Sequence, residues 1–195
     1  MSEQTATPEQ LEEWQVQIPL DLPFRPQRQT IKGSPTNKAS LTPGSVGNCY
    51  SACLASLLGL PMDEVPHIQH LRNVAEYHAA IELPWEDRRI AREWLRSTRD
   101  LDLCIVNRDS LDELGVHYIL TVSSHNGPWN HAVIARLGEV VFDPSGRDDY
   151  TMADVDPEDP TAEAITLPFS PDPAEMVRRW REQHGWTADE PGGVS

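Results

Sequence analysis

The sequence predicts an α+β fold in which a helical half precedes an antiparallel sheet. Three observations support this prediction. An apolar helix begins near residue 49, two more helical segments follow it as far as residue 98, and β-branched apolar runs separated by turn residues begin at residue 101. Helices followed by strands differ from the strand–helix alternation of a parallel α/β sheet. We therefore expect the helices to pack against one antiparallel sheet.

Composition limits the classes of protein to consider. The 195 residues include 31 Asp+Glu and 16 Lys+Arg, a net charge of -15, and three cysteines. This charge argues against a protein that grips nucleic acid by its phosphates, which requires a basic face. Three cysteines are too few for a disulfide scaffold, and the sequence has neither an apolar run of about 18 residues nor a secretory leader pattern. We expect a cytoplasmic protein that binds neither membranes nor nucleic acid.

The acidity is concentrated late in the chain. Residues 143–195 contain thirteen acids and four bases and so carry -9, more than half of the net charge. The expected role is a solvated acidic surface that favours solubility. A surface that repels acidic partners or mimics nucleic acid is the alternative.

The first 43 residues predict an irregular arm. Residues 7–14 form a short helix in this prediction, with Thr7 as its N-cap and Pro8 at its first position. Proline and glycine then recur too often for a helix or a central strand. Phe24 and Leu41 are the apolar residues expected to pin this arm to a core.

Residues 44–185 are predicted to form the folded domain, and residues 186–195 a flexible tail. Its helical half, 48–98, contains a buried helix that follows Asn48 and stops at Gly59, then helices over about 66–81 and 84–98. The sheet half, 101–169, is predicted as an antiparallel meander, and the final helix covers 172–184. The expected strands are 101–106, 116–123, 131–137, 139–143 and 164–169.

Cys49 is the first candidate for chemistry because it stands at the start of the buried helix, directly after Asn48. A helix N-terminus presents unpaired N–H groups and a partial positive charge, which stabilise a thiolate and can bind a developing oxyanion. Cys49 as a small core residue is the alternative. Cys53 is a weaker nucleophile candidate since it lies in mid-helix, and Cys104 lies in an apolar strand.

His131 and Asp143 are predicted to meet across a hairpin. A three-residue loop, Arg136 to Gly138, would pair Ala135 with Glu139 and His131 with Asp143. Directly opposite side chains in such a pair have Cβ atoms about 4.5–5.5 Å apart. The Asp143 carboxylate would then orient the His131 imidazole as in a nucleophile–base–orienter triad. A structural His–Asp pair without a nucleophile is the alternative.

Two stretches, GNCYSACLASLLGL and HAVIARLGEVVFDP, resemble bacteriocin leader (double-glycine) peptidases within the papain-like cysteine peptidase superfamily. The first, extended through PMDEVPH, also resembles small uncharacterised cysteine-peptidase-like proteins of actinobacteria and their phages. The resemblance covers residues 44–65 and 129–146. It implies a papain-like fold, with Cys49 as nucleophile, His131 as general base and Asp143 as orienter.

The sequence departs from that family at one position. The family has a Gln about six residues before the nucleophile, whose amide completes the oxyanion hole. Here that position is Pro43. Asn48 is the nearest amide that could take this role, and Trp129 and Asn130 are expected at the oxyanion hole or the edge of the cleft.

Three functions are compatible with these residues. The first is a cysteine hydrolase (a peptidase, isopeptidase or amidase) acting on a peptide or protein through an acyl-enzyme. The second is a papain-like binding module without turnover, such as a phage-encoded adaptor or inhibitor, and the third is a transglutaminase-like acyltransferase. No cofactor is expected, because Cys49, Cys53, His67 and His70 lack the spacing of a zinc site. The sequence leaves the oligomeric state open.

Overall fold

The computed structural model describes residues 19–32, 47–79, 86–125, 130–155 and 161–168, and it has the α+β organisation that the sequence predicts. Three helices precede a five-stranded antiparallel sheet whose strand order is β1-β5-β2-β3-β4. The helices are α1 (Cys49–Leu58), α2 (Ile68–Ala79), α3 (Glu86–Thr98) and α4 (Arg108–Leu114). The strands are β1 (Asp102–Asn107), β2 (Tyr118–Ser123), β3 (Asn130–Arg136), β4 (Glu139–Phe142) and β5 (Thr161–Thr166).

The sheet has a hydrophobic core on each face. The first core joins α1 and α3 to one face, through residues such as Leu54, Leu95 and Ile134. The second lies on the opposite face and includes Leu111 of α4 and Tyr118. Because side chains alternate along a strand, neighbouring residues of β3 contribute to different cores. The sheet is therefore a central layer between two cores, and α1 packs on the first of them.

Helix α1 is apolar nearly all round, and its residues from Tyr50 to Leu57 are buried. It ends at Gly59, which has a φ of 64° and whose N–H bonds back to the last turn. A Cβ at this position would lie 3.1 Å from the Pro23 carbonyl oxygen, so glycine suits both the conformation and the space. This helix is buried, as the sequence predicts, and its packing in the core holds its first residue, Cys49, in position.

Residues 19–32 form an ordered strap across α1. The N–H of Leu20 bonds to the Ile165 carbonyl at 2.8 Å, that of Arg25 to Ser56 at 2.9 Å, and that of Gln29 to Pro144 at 2.9 Å. Phe24 packs against the first core, as the sequence predicts, and also stacks on His117 with a ring-centroid distance of 4.7 Å. The strap thus runs from β5 over the end of α1 to the residues that follow β4.

The sheet differs from the predicted meander. Strands β2, β3 and β4 follow one another, but β5 lies between β1 and β2, so the chain returns to the middle of the sheet. β5 also begins at Thr161, three residues earlier than expected. Helix α4 was not predicted because it spans only seven residues, although Asn107 caps it and Gly115 ends it with a φ of 65°.

The predicted register of the β3–β4 hairpin is wrong by one residue. The loop has two residues, Leu137 and Gly138, and Arg136 pairs with Glu139. Both loop residues have positive φ, 53° and 76°, as in the type I′ turns that match strand twist. A β-bulge between Ile134 and Ala135 then shifts the pairing.

The predicted helices over 7–14 and 172–184, the tail over 186–195, Leu41 and Trp129 lie outside the described residues. None of the helices within the described ranges is long and apolar enough to span a membrane.

Candidate active site

Cys49 occupies the first position of α1, where its side chain is partly buried beside the first core. The preceding Asn48 makes no side-chain cap to the helix. The N–H groups of a helix's first turn have no partner within the helix and are often covered by a capping side chain. Because Asn48 makes no such cap, it leaves the first-turn N–H groups of α1 uncovered. The thiol is therefore placed at the positive end of a buried helix.

His131 lies at the start of β3, and its Nε2 is 2.6 Å from Oδ1 of Asp143. The side chains of His131 and Asp143 are 11% and 2% exposed. The β-bulge makes this contact possible. Without the bulge, the two-residue turn would place Asp143 opposite Ala132, on the face of the sheet away from His131. The bulge shifts the pairing by one residue, so that Phe142 pairs with Ile134. Asp143 therefore returns to the face of His131.

The thiol of Cys49 lies close enough to the His131 side chain to favour its protonated form. Since Asp143 holds Nε2, the nitrogen left to exchange a proton with Cys49 is Nδ1. Burial opposes a charge on the imidazole, but the hydrogen bonds with Asp143 and Cys49 outweigh burial and raise the pKa of His131 to about 9. An imidazolium with this pKa is the cation that a neighbouring thiolate requires.

Asp143 is held by several donors. Oδ1 also accepts from the Ser145 N–H at 2.8 Å, while Oδ2 accepts from the Ser145 hydroxyl and from the Arg147 N–H at 3.3 Å. Arg28 of the strap donates to the Asp143 backbone carbonyl at 2.6 Å. Burial raises the pKa of Asp143, but the bonds from His131 and Ser145 prevail and leave it below its usual value. The carboxylate is therefore charged and fixed in direction.

Tyr150 covers the imidazole of His131. The two rings stack with centroids 5.1 Å apart, and Tyr150 also stacks on His125 at 4.2 Å. The Tyr150 hydroxyl accepts a hydrogen bond from the backbone N–H of His125 at 3.1 Å. This buried aromatic ring limits the ways in which His131 can turn.

Gln69 is the site residue that sequence reasoning missed. It lies in the first turn of α2, is 7% exposed, and brings Nε2 to 3.5 Å from Sγ of Cys49. The contact depends on how α2 crosses the start of α1, and twenty residues separate the two side chains in the sequence. The one available signal was a glutamine directly after Ile68 on the buried side of a short amphipathic helix.

The residues predicted for the oxyanion hole or cleft have varied positions. The Asn48 amide faces the strap: Oδ1 accepts from the Ile31 N–H and Nδ2 donates to the Thr30 hydroxyl, both at 3.0 Å. These bonds occupy the amide that was expected to face the substrate. Asn130 is exposed at the first position of β3, and Trp129 is outside the described ranges.

The other two cysteines are in different surroundings. Burial, with a smaller contribution from Cys49, raises the pKa of Cys53 well above its usual value. Burial likewise raises the pKa of Cys104 to about 11, and its thiol bonds to the Ala164 carbonyl at 3.4 Å. Both are thus held as thiols. Within the described ranges, no cluster of three or more Cys, His, Asp or Glu side chains is arranged to hold a metal ion.

No family model, curated protein or solved structure matches this chain.

Proposed function

We propose that this chain is a papain-like cysteine hydrolase that cleaves an amide or ester bond of a peptide or protein through an acyl-enzyme. The observation that carries the proposal is the buried His131–Asp143 pair, which lies beside Cys49 at the start of α1. The free state of all three cysteines suits a reducing compartment such as the cytoplasm.

The chemistry follows from the positions of the three side chains. Nδ1 of His131 holds the proton given up by the Cys49 thiol, and Sγ of Cys49 forms a bond to the carbonyl carbon, whose oxygen becomes the oxyanion. His131 then gives that proton to the leaving amine or alcohol as the carbon–nitrogen or carbon–oxygen bond breaks. Water attacks the thioester carbon and gives a proton to His131; the carbon–sulfur bond then breaks, which releases the acid and returns Cys49. Asp143 keeps the imidazole in one orientation and stabilises its charge throughout.

Selective alkylation tests the nucleophile. Iodoacetamide at pH 6 is expected to modify Cys49 at least about tenfold faster than Cys53 or Cys104, because a thiolate is the reactive form and both other thiols have raised pKa values. Peptide mapping by mass spectrometry measures the three rates in one sample. Equal rates at Cys49 and Cys104 would overturn the proposal.

Turnover tests the reaction itself. A panel of p-nitrophenyl esters and fluorogenic peptide amides should be hydrolysed by the wild type and not by C49A, whereas C104A retains activity because that thiol lies in the other core. Adding a primary amine separates hydrolysis from acyl transfer, since an acyltransferase would give the amide product. If no substrate shows Cys49-dependent turnover although Cys49 is alkylated selectively, the binding-module alternative is favoured.

A further inference from the structure

We infer that Gln69 is the side-chain donor of an oxyanion hole, acting together with the backbone N–H of Cys49. This inference rests on the proposed function and adds a catalytic residue to it. Its starting point is the contact between Nε2 of Gln69 and Sγ of Cys49, at 3.5 Å. Because the amide is almost wholly buried, it has a fixed place beside the nucleophile and little access to bulk water.

Ser51 lies beside the Gln69 amide and joins the start of α2 to α1. Its hydroxyl accepts from the Ile68 N–H at 3.0 Å, donates to the Pro66 carbonyl at 2.8 Å and lies 3.4 Å from Oε1 of Gln69. The amide oxygen lies on the Ser51 side, and the NH₂ group lies on the Cys49 side. The same serine holds Gln69 in place.

The distance suits a donor to the transition state. When Sγ bonds to a carbonyl carbon, the new oxyanion lies roughly 2.5–3 Å from Sγ, and useful donors stand about 2.7–3.1 Å from that oxygen. An N–H donor 3.5 Å from the sulfur can meet both conditions. In the free enzyme the same N–H group points at the sulfur.

The second donor comes from the start of α1. Asparagine is among the strongest helix-capping residues, yet the side chain of Asn48 bonds to Thr30 and Ile31 of the strap and makes no cap. The first-turn N–H groups are thus free of the side chain that would otherwise cover them. The backbone N–H of Cys49 and the amide of Gln69 then approach the reacting carbonyl from two elements.

This arrangement bears on Pro43, which stands where the resembled family has the glutamine of its oxyanion hole. The resembled family draws its amide donor from before the nucleophile, whereas here α2, which follows the nucleophile, supplies one. The proline at position 43 therefore does not by itself predict an inactive site. An amide from the following helix can supply the same N–H donor to the same oxygen.

The test uses two reactions of Cys49 that differ in their need for an oxyanion hole. Alkylation by iodoacetamide is a displacement at a saturated carbon and develops no oxyanion, whereas acylation by p-nitrophenyl acetate does. In Q69A and Q69M, which remove the amide without adding a charge, the acylation rate should fall about 10²–10³-fold, while the alkylation rate stays within about threefold of wild type. Q29A is the matched control, a half-buried strap glutamine whose backbone contact to Pro144 the substitution keeps.

The outcomes are distinguishable. If the wild type shows no Cys49-dependent acylation, the proposed function fails and the role of Gln69 fails with it. If the wild type is acylated at Cys49 and both Gln69 variants are acylated as fast as the wild type, the role of Gln69 alone is overturned. A parallel loss of acylation and alkylation also overturns it, because Gln69 would then act on the thiol or the fold. Q69M, an uncharged side chain of similar length and volume, keeps the test valid should Q69A fail to fold.

Discussion

The strand pair β2–β3 has an imidazole–carboxylate contact at each end. The two contacts join the same chemical groups but differ in their burial and in their neighbours. At one end His131 meets Asp143 at 2.6 Å, and at the other His117 meets Asp21 at 2.8 Å. The register places them at opposite ends, since Tyr118 pairs with Ala135 and Val122 pairs with His131.

The surroundings of the two pairs decide what each can do. Asp143 is 2% exposed and His131 faces the thiol of Cys49, whereas Asp21 is 40% exposed and belongs to the strap. His117 stacks on Phe24 and its backbone N–H also bonds to Asp21, so this second pair ties the strap to the sheet. A His–Asp contact therefore indicates catalysis only where a nucleophile also lies beside the imidazole.

The largest expected difference between the two ends is in turnover. H131A should lower the rate of Cys49-dependent hydrolysis by about 10²–10⁴-fold, because it removes the group that moves the proton. H117A removes an imidazole with a similar carboxylate contact and should leave that rate within about twofold of wild type. Steady-state kinetics on the same substrate compare the two variants. Equal losses would show that both act through stability, and no loss in H131A would remove His131 from the mechanism.

The next difference is in titration. The ring of His131 should titrate with a pKa of about 9, so the imidazolium persists through neutral pH and is lost as the pH rises through that value. D143N removes a carboxylate that favours the charged ring, so the pKa should fall by about 1–3 units. Long-range ¹H–¹⁵N NMR of the histidine rings measures both.

D21N is the control for that titration, because it removes the carboxylate of the other pair. It should leave the titration of His131 unchanged. A His131 that titrates near 6.5 in the wild type would contradict the contacts with Asp143 and Cys49 described above.

How much of this site the sequence predicts depends on the range of each contact. The placement of Cys49 could be predicted because it depends on local helix patterning, and the proximity of His131 to Asp143 because hairpin partners are near in sequence. The register of the hairpin could not be predicted, because it depends on a two-residue turn and a β-bulge. Each of these changes the face of the sheet to which Asp143 points, and together they restore the original face. Gln69 and the diversion of Asn48 to the strap depend on how separate segments pack, and no local pattern encodes that.

The smallest effect is expected at the turn, which lies at the His117 end of the sheet. Leu137 has a φ of 53° and is 63% exposed, so it adopts a strained left-handed conformation while burying little of its side chain. Asparagine tolerates this conformation far better and is common in type I′ turns. L137N should therefore stabilise the protein by about 0.5–1 kcal/mol in urea unfolding and leave alkylation of Cys49 unchanged. A change in alkylation rate would mean that the turn and the site are coupled through β3, and a loss of stability would mean that contacts of Leu137 outweigh its backbone strain.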